Sequence, residues 1–235
     1  MLDMLYYGSN GHDGPSTEIG EAIFGYTAGS GRSPQAVRHR RSTIASYVNT
    51  ITGCSRPRIL SIASGYLREV ELCHAFNTDR VEEWVAMDSD AQSVLECSRF
   101  YDGTCIRPVN GSVRHLLARK LDLGEFDFVY TTGLFDYLSD SVAKALISRM
   151  FEMLKPGGRL MVANLAADYL DAGYMEAFMD WRLIYRSKQE MAALFHILEG
   201  LAKNVEIFTD PMNAIVYATA QKQWTCRPQL SKAIT

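Results

Sequence analysis

The stretch RILSIASGYLREVEL, residues 58–72, begins as a short apolar run, passes through Ser64-Gly65 and continues with no loop into a pattern of helical period. Strand, glycine turn and helix is the arrangement by which α/β proteins bring backbone against a nucleotide. The dinucleotide fingerprint needs three glycines, so that the chain can turn tightly and a pyrophosphate can approach. This turn has one, Gly65. A missing side chain at the end of a first strand still lets a ligand reach the backbone and the start of the following helix. The same glycine also serves as an ordinary turn, so its neighbours must decide.

Outward from this stretch the pattern alternates. RILSI reads as a strand and YLREVELCHAF as a helix; EWVAMD and AQSVLECSRFY, TCIRPVN and SVRHLLARK, and FDFVYTT and SVAKALISRMFEML repeat the pairing. A Lys155-Pro156-Gly157-Gly158 turn leads to the strand RLMVANLA. NVEIFTD and AIVYATAQK, joined through Pro-Met-Asn, read as a terminal antiparallel hairpin. Strands alternating with helices specify a doubly wound, mostly parallel sheet. Seven strands with the last two antiparallel are expected.

Residues 1–50 differ. GSNGHDGPST and TAGSGRSP are turn-rich and flank a short helix, EIGEAIFGY; a long helix then starts at Ser33-Pro34, with proline in its first turn. Val37, Ile44, Val48 and Ile51 share one face of it, and the basic cluster Arg38 to Arg41, with His39, is assigned to a solvated face. Turn-rich segments too short for a core pack on another surface, so residues 1–50 are expected to cap the strand ends of a catalytic domain spanning 51–235. A helical insertion is expected around 165–200.

Composition narrows the function. Of 235 residues, 47% are apolar, enough for a sizeable core, and a formal net charge of −3 gives no electrostatic reason to bind nucleic acid. The five cysteines, Cys54, Cys73, Cys97, Cys105 and Cys226, are scattered with no CxxC pair, which argues for reduced thiols over a disulfide framework or a zinc site. The five histidines show no metal spacing. No run approaches the ~20 apolar residues of a membrane span, and the first residues lack a basic region followed by an apolar stretch. A cytoplasmic location is expected.

Ligands of open α/β sheets lie beyond the carboxyl ends of the strands. The first strand ends at Ala63-Ser64-Gly65; the second ends at Asp88, followed by Ser89. A carboxylate there can accept both hydroxyls of a ribose, and Asp90 is better placed to cap the next helix. After the third strand, Asn110-Gly111-Ser112 either presents polar groups to an adenine edge or lets Ser112 cap a helix. The fourth strand ends at Thr131-Thr132-Gly133, where reacting groups belong. An adenosine ligand with no pyrophosphate fits these features, and the cofactor expected is S-adenosylmethionine.

The strand order, the acid ending the second strand, LKPGG before the fifth and the closing hairpin resemble class I S-adenosylmethionine-dependent methyltransferases over residues 35–222. Only Gly65 matches their glycine-rich first motif. SIASGYLREVE, YTTGLFDYLSD and MEAFMDWRLIYRSKQEM are similar to the bacterial subfamily that forms methyl esters of 3-hydroxy fatty acids. The resemblance implies cofactor contacts for Gly65, the ribose for Asp88 and the adenine for Ser112 and Val113. It also matches Glu69, as a cofactor-side residue or a brace of the first helix.

A sulfonium is held by aromatic faces, at about 0.5–2 kcal/mol each. Phe135 and Tyr137 follow the fourth strand; Tyr169, Tyr174, Trp181 and Tyr185 follow the fifth. Phe135, Tyr137 and Tyr174 are taken as site candidates, beside core packing as the plain alternative. Asn164 ends the fifth strand, and Asp168 and Asp171 follow, either as substrate and proton-handling groups or as helix caps. Asp180, Arg182 and Arg186 either fork a substrate carboxylate or tie the insertion to the sheet. No strong general base stands out. Methylation of a small carboxylate or amine is the expected reaction. The alternative is an azetidine-2-carboxylate synthase, a chemistry the same fold also carries, in which the cofactor's amine attacks its own γ-carbon and methylthioadenosine leaves.

Overall fold

The computed structural model describes residues 6–7, 17–53, 55–169 and 172–224. Cys54, Asp171 and Cys226 lie outside them, as does most of the first turn-rich segment.

Helices α1 (Glu18–Gly25) and α2 (Arg32–Ile51) precede the sheet. The sheet then builds as β1 (Arg58–Ile62), α3 (His74–Asn77), β2 (Glu83–Asp88), α4 (Ala91–Phe100), β3 (Ile106–Asn110) and α5 (Val113–Leu117). The second half runs β4 (Phe126–Thr131), α6 (Asp140–Glu152), β5 (Leu154–Leu165), α7 (Ala172–Met179), α8 (Lys188–Phe195), β6 (Ala202–Thr209) and β7 (Ile215–Lys222). The strands order as β3-β2-β1-β4-β5-β7-β6. Neighbours from β3 through β5 pair in parallel, and β7 runs antiparallel to both β5 and β6. This is the expected doubly wound sheet with its closing hairpin.

Side chains alternate across each strand, so the sheet carries a core on either face. Leu60, Ile62, Val129, Leu160 and Val162 pack on one face with Leu146, Ile147 and Met150 of α6. Ile59, Trp84, Phe128, Tyr130 and Met161 pack on the other with Ala36, Ile44, Ala45 and Val48 of α2. The amino-terminal helix is therefore part of a sheet-face core.

Three local readings change. YLREVELCHAF is not one helix: Arg68–Leu72 form a single 3-10 turn, Cys73 is extended, and α3 is one short turn. Glu69 and Val70 are buried, and the Tyr130 hydroxyl, donating to Glu69 Oε1 at 2.5 Å, turns an inward carboxylate into an anchor that a regular helix would not supply. Lys155 to Gly158 do not form a separate turn but enter β5 as an irregular first segment, with a register shift against β4 between Phe126 and Phe128. The basic cluster is not a solvated face throughout, because Arg41 is 7% exposed, stacks over the Tyr6 ring at 4.6 Å and donates to the Arg68 carbonyl and Glu71.

Among the described residues Cys73, Cys97 and Cys105 are free thiols, no cluster of three or more His, Cys, Asp or Glu gathers, and no helix is long and apolar enough to cross a membrane.

Candidate active site

The loop after β1 is wound unusually. Ala63, Gly65 and Leu67 all have left-handed backbone, with φ of 54°, 53° and 52°. For the two that are not glycine this conformation costs on the order of 1–3 kcal/mol each, so the surroundings must impose it. The Ser64 amide donates to the Met87 carbonyl at 3.1 Å, the Gly65 amide to Asp88 Oδ2 at 2.8 Å, and the Tyr101 hydroxyl to the Leu67 carbonyl at 3.1 Å. A β-carbon added at Gly65 would meet nothing within 4 Å. The loop thus faces open space, and backbone conformation is the reason for glycine there.

Asp88 ends β2 and organises this loop. Its second oxygen, Oδ1, accepts from the Asp90 amide at 2.9 Å, while Asp90 itself caps α4 through Ser93. A carboxylate offers about four acceptor positions, so Asp88 retains capacity for two hydroxyls after bracing the β1 loop. Ser89 beside it is exposed, and its carbonyl accepts from Asn110 Nδ2 at 3.4 Å. Gly111 is small for packing: an added β-carbon would sit 2.6 Å from Leu121 Cδ1. Ser112 accepts from the His115 amide and caps α5, and Val113 packs against the core. Ser89, Gly111, Ser112 and Val113 stand beside Asp88, on the β2–β3 side of the β1 loop.

A cavity of about 200 Å³ opens in front of β1 and β4. Ala63, Ser64, Gly65 and Glu69 line it from the β1 side; Thr132, Gly133, Asp136 and Tyr137 line it from the β4 side. Pro34, Val37 and Arg40 of α2 form one further wall, and Tyr169, Met175, Trp181 and Leu183 of the insertion form another. The sequence-predicted residues divide accordingly. Tyr137 reaches the cavity, whereas Phe135 is fully buried in the core beside α6. The side chain of Tyr174 lies outside the described part of the structure.

Asn164 and Asp168 do not meet there. Asn164 is 1% exposed, donates to the carbonyls of Leu165 at 2.9 Å and Ile184 at 2.8 Å, and accepts from Arg186 Nη1 at 2.7 Å. Its side chain is spent on the fold. Asp168 is exposed and lines a different cavity of about 480 Å³, with Arg32, Ser187 and Lys188. Arg186 also takes the structural alternative. It is 2% exposed and donates to the carbonyls of Phe135 and Leu138, to Asn164 and to Asp140, tying the insertion to the turn after β4.

Charged residues in the cavity wall escape sequence reasoning, Asp136 and Arg40 among them. Asp136 is 5% exposed; its Oδ1 accepts from the Leu165 amide at 2.7 Å, and burial pushes its carboxyl up to about 6 against the opposing pull of Arg40 and Arg186. It sits between the two aromatics of GLFDYLSD that did attract notice. Arg40 donates from α2 to the Thr132 carbonyl at 2.5 Å. Arg40 and Arg41 fall between Val37 and Ile44 in the helical repeat, and that spacing was the available sign that they face inward. Glu69 is likewise held above the ordinary carboxylate range by burial, partly offset by the Tyr130 hydrogen bond.

Comparison with known proteins follows this geometry. Residues 59–158 match a family described as a methyltransferase domain. No curated protein matches the sequence. Among solved structures, one from Bordetella parapertussis, described as a possible exported protein, superposes with a TM-score of 0.70 at 18% identity, over 94% of this chain and 78% of that one. Magnesium protoporphyrin IX methyltransferase from Synechocystis, with bound S-adenosylhomocysteine, gives 0.62 at 11% identity over 94% and 93%. An N-methyltransferase from Bradyrhizobium japonicum, in complex with the same product, gives 0.55 at 12% identity over 79% and 87%. The methyltransferase-domain match thus lies within a chain whose fold is that of S-adenosylmethionine-dependent methyltransferases.

Proposed function

We propose that this protein transfers the methyl group of S-adenosylmethionine to a small acceptor molecule. The observation that carries the reading is the cavity at the ends of β1 and β4, floored by the left-handed Ala63–Leu67 backbone and braced by Asp88. The residues fit the cofactor: the space before Gly65 is open, and Asp88 keeps acceptor positions for ribose hydroxyls. When bound, the cofactor supplies an electrophilic methyl on a positively charged sulfur. Asp88 would hold the ribose, Ser89 and Gly111 to Val113 would border the adenine, and Ala63 to Gly65 with Thr132 and Gly133 would face the amino-acid end. The tyrosine and tryptophan faces of Tyr137, Tyr169 and Trp181 in the cavity wall suit a cation.

Helix α2 supplies one wall through Pro34, Val37 and Arg40, with the insertion on the opposite side. Cyclisation would be favoured by Asn164 and Asp168 standing together beside the cofactor, and those side chains sit apart. Methyl transfer is therefore retained.

Calorimetry with S-adenosylhomocysteine tests the cofactor, and mass spectrometry of S-adenosylmethionine incubations tests the reaction. Binding, with no methylthioadenosine formed above spontaneous breakdown, is expected. Binding of NAD with none of S-adenosylhomocysteine would overturn the assignment.

A further inference from the structure

We infer that the acceptor is an amine carried on an apolar body, and that Asp136 is the group that holds it; this rests on the methyl-transfer reading above. The argument starts from what the cavity wall offers. Tyr169, Met175, Trp181 and Leu183 make the insertion side apolar and aromatic, and Val37 adds an apolar contact from α2. Into this wall projects a carboxyl group, Asp136, that is 5% exposed. One of its oxygens is fixed by the Leu165 amide, and its main-chain carbonyl is fixed by the Ile184 amide at 2.7 Å. A buried anion is costly unless charged or hydrogen-bonding partners, from the protein or from a ligand, surround it.

The charges around Asp136 select among acceptors. Arg40 from α2 and Arg186 from the segment before α8 face it with positive charge; Tyr137 and Tyr185 are the other titratable groups near it. Arg186 is committed to Phe135, Leu138, Asn164 and Asp140, and Arg40 donates to the Thr132 carbonyl. Glu69 adds a second buried carboxyl to the same cavity. Arg68 also lines the cavity and is paired with Glu71; with both lining arginines engaged by the protein, a nitrogen gaining positive charge is drawn to the two carboxyls. The aromatic faces favour the same cation.

The step balances. The neutral amine's lone pair forms a bond to the methyl carbon, the carbon–sulfur bond breaks, and its electron pair stays on sulfur as a neutral thioether. The surplus proton stays on the methylated nitrogen, which leaves as an ammonium ion and exchanges its proton with solvent. A carboxyl near 6 is too weak a base to strip an alcohol or a phenol of ordinary pKa about 10. An alkylammonium is no stronger an acid, so Asp136 acts as a carboxylate that pairs with the cation N-methylation produces.

The test uses the whole protein saturated with S-adenosylhomocysteine at pH 8, titrated in a calorimeter with phenethylamine and, separately, with 3-phenylpropanoate. Phenethylamine is expected to bind at least ~10-fold more tightly. Asp136→Asn keeps an acceptor for the Leu165 amide and removes the charge; it should retain affinity for S-adenosylhomocysteine and lose the preference. In the wild type, lowering the pH from 8 to 5 should weaken phenethylamine binding several-fold as Asp136 gains a proton, a measurement independent of any variant. Equal or reversed preference, a preference that survives in Asp136→Asn, or no binding of either probe at millimolar concentration would overturn the inference. Failure of S-adenosylhomocysteine to bind the wild type would instead count against the cofactor reading itself.

Discussion

Replacing Arg186 by Met asks how much of the site's shape rests on one buried cation. Met fills most of the volume and donates nothing. Three acceptors, two buried and one half-buried, lose their donor: the carbonyl of Phe135 at 2.8 Å and Asn164 Oδ1 at 2.7 Å, and the carbonyl of Leu138 at 2.6 Å. An orphaned buried polar group costs about 1–3 kcal/mol. Against this, removing the guanidinium relieves its own desolvation. Asp140, the ionic partner, is 69% exposed on its side chain, so it is left in water and adds at most ~1 kcal/mol. The balance is a loss of about 3–5 kcal/mol, the range measured when one partner of a buried polar network is removed. At ~2–4 °C per kcal/mol for a chain of this size, the melting temperature should fall by about 6–20 °C. Urea denaturation followed by circular dichroism measures the first figure, and a thermal scan measures the second. Asp140→Asn is the control and should cost less than ~1 kcal/mol. A loss below ~1 kcal/mol in Arg186→Met, or an equal loss in the control, would refute the bracket.

Asp88→Ala should weaken S-adenosylhomocysteine by ~10-fold or more in calorimetry, about 1.4 kcal/mol, because it removes the proposed ribose acceptor and the brace on the Gly65 amide. Asp168→Asn should leave that affinity within twofold, since Asp168 lines the other cavity. Asp136→Asn should change stability with pH. The folded carboxyl sits near 6, above its ordinary value of 3.8, so no penalty exists below about pH 4 and the full one, on the order of 1–3 kcal/mol, is present above about pH 6. The variant should therefore be more stable than the wild type at pH 8, by denaturant titration, and equal to it near pH 3.5.

The sheet was legible because its signal is local and repeated. Alternating apolar runs and helical repeats follow from how each segment buries a face, so strand identity, the parallel order and the closing hairpin could be read in advance. The place of Asp88 at the end of β2 was legible for a related reason: the topology alone defines that position. YLREVELCHAF has helical spacing, but its fate depends on Tyr101 and Tyr130, which bind Leu67 and Glu69 from distant elements.

The chemistry of the cavity wall belongs to the tertiary structure. Asn164, Asp168 and Asp136 are all polar residues after a strand, and their types do not separate them. Only the folded chain spends Asn164 on Arg186, turns Asp168 to another surface and buries Asp136 against the Leu165 amide. Arg40 is equally undecided along the chain until α2 lies across β4 and its guanidinium finds the Thr132 carbonyl. Periodicity determines which face of an element is buried. Which buried polar group meets which partner depends on contacts between residues far apart in the sequence, and those contacts give each carboxyl here its role.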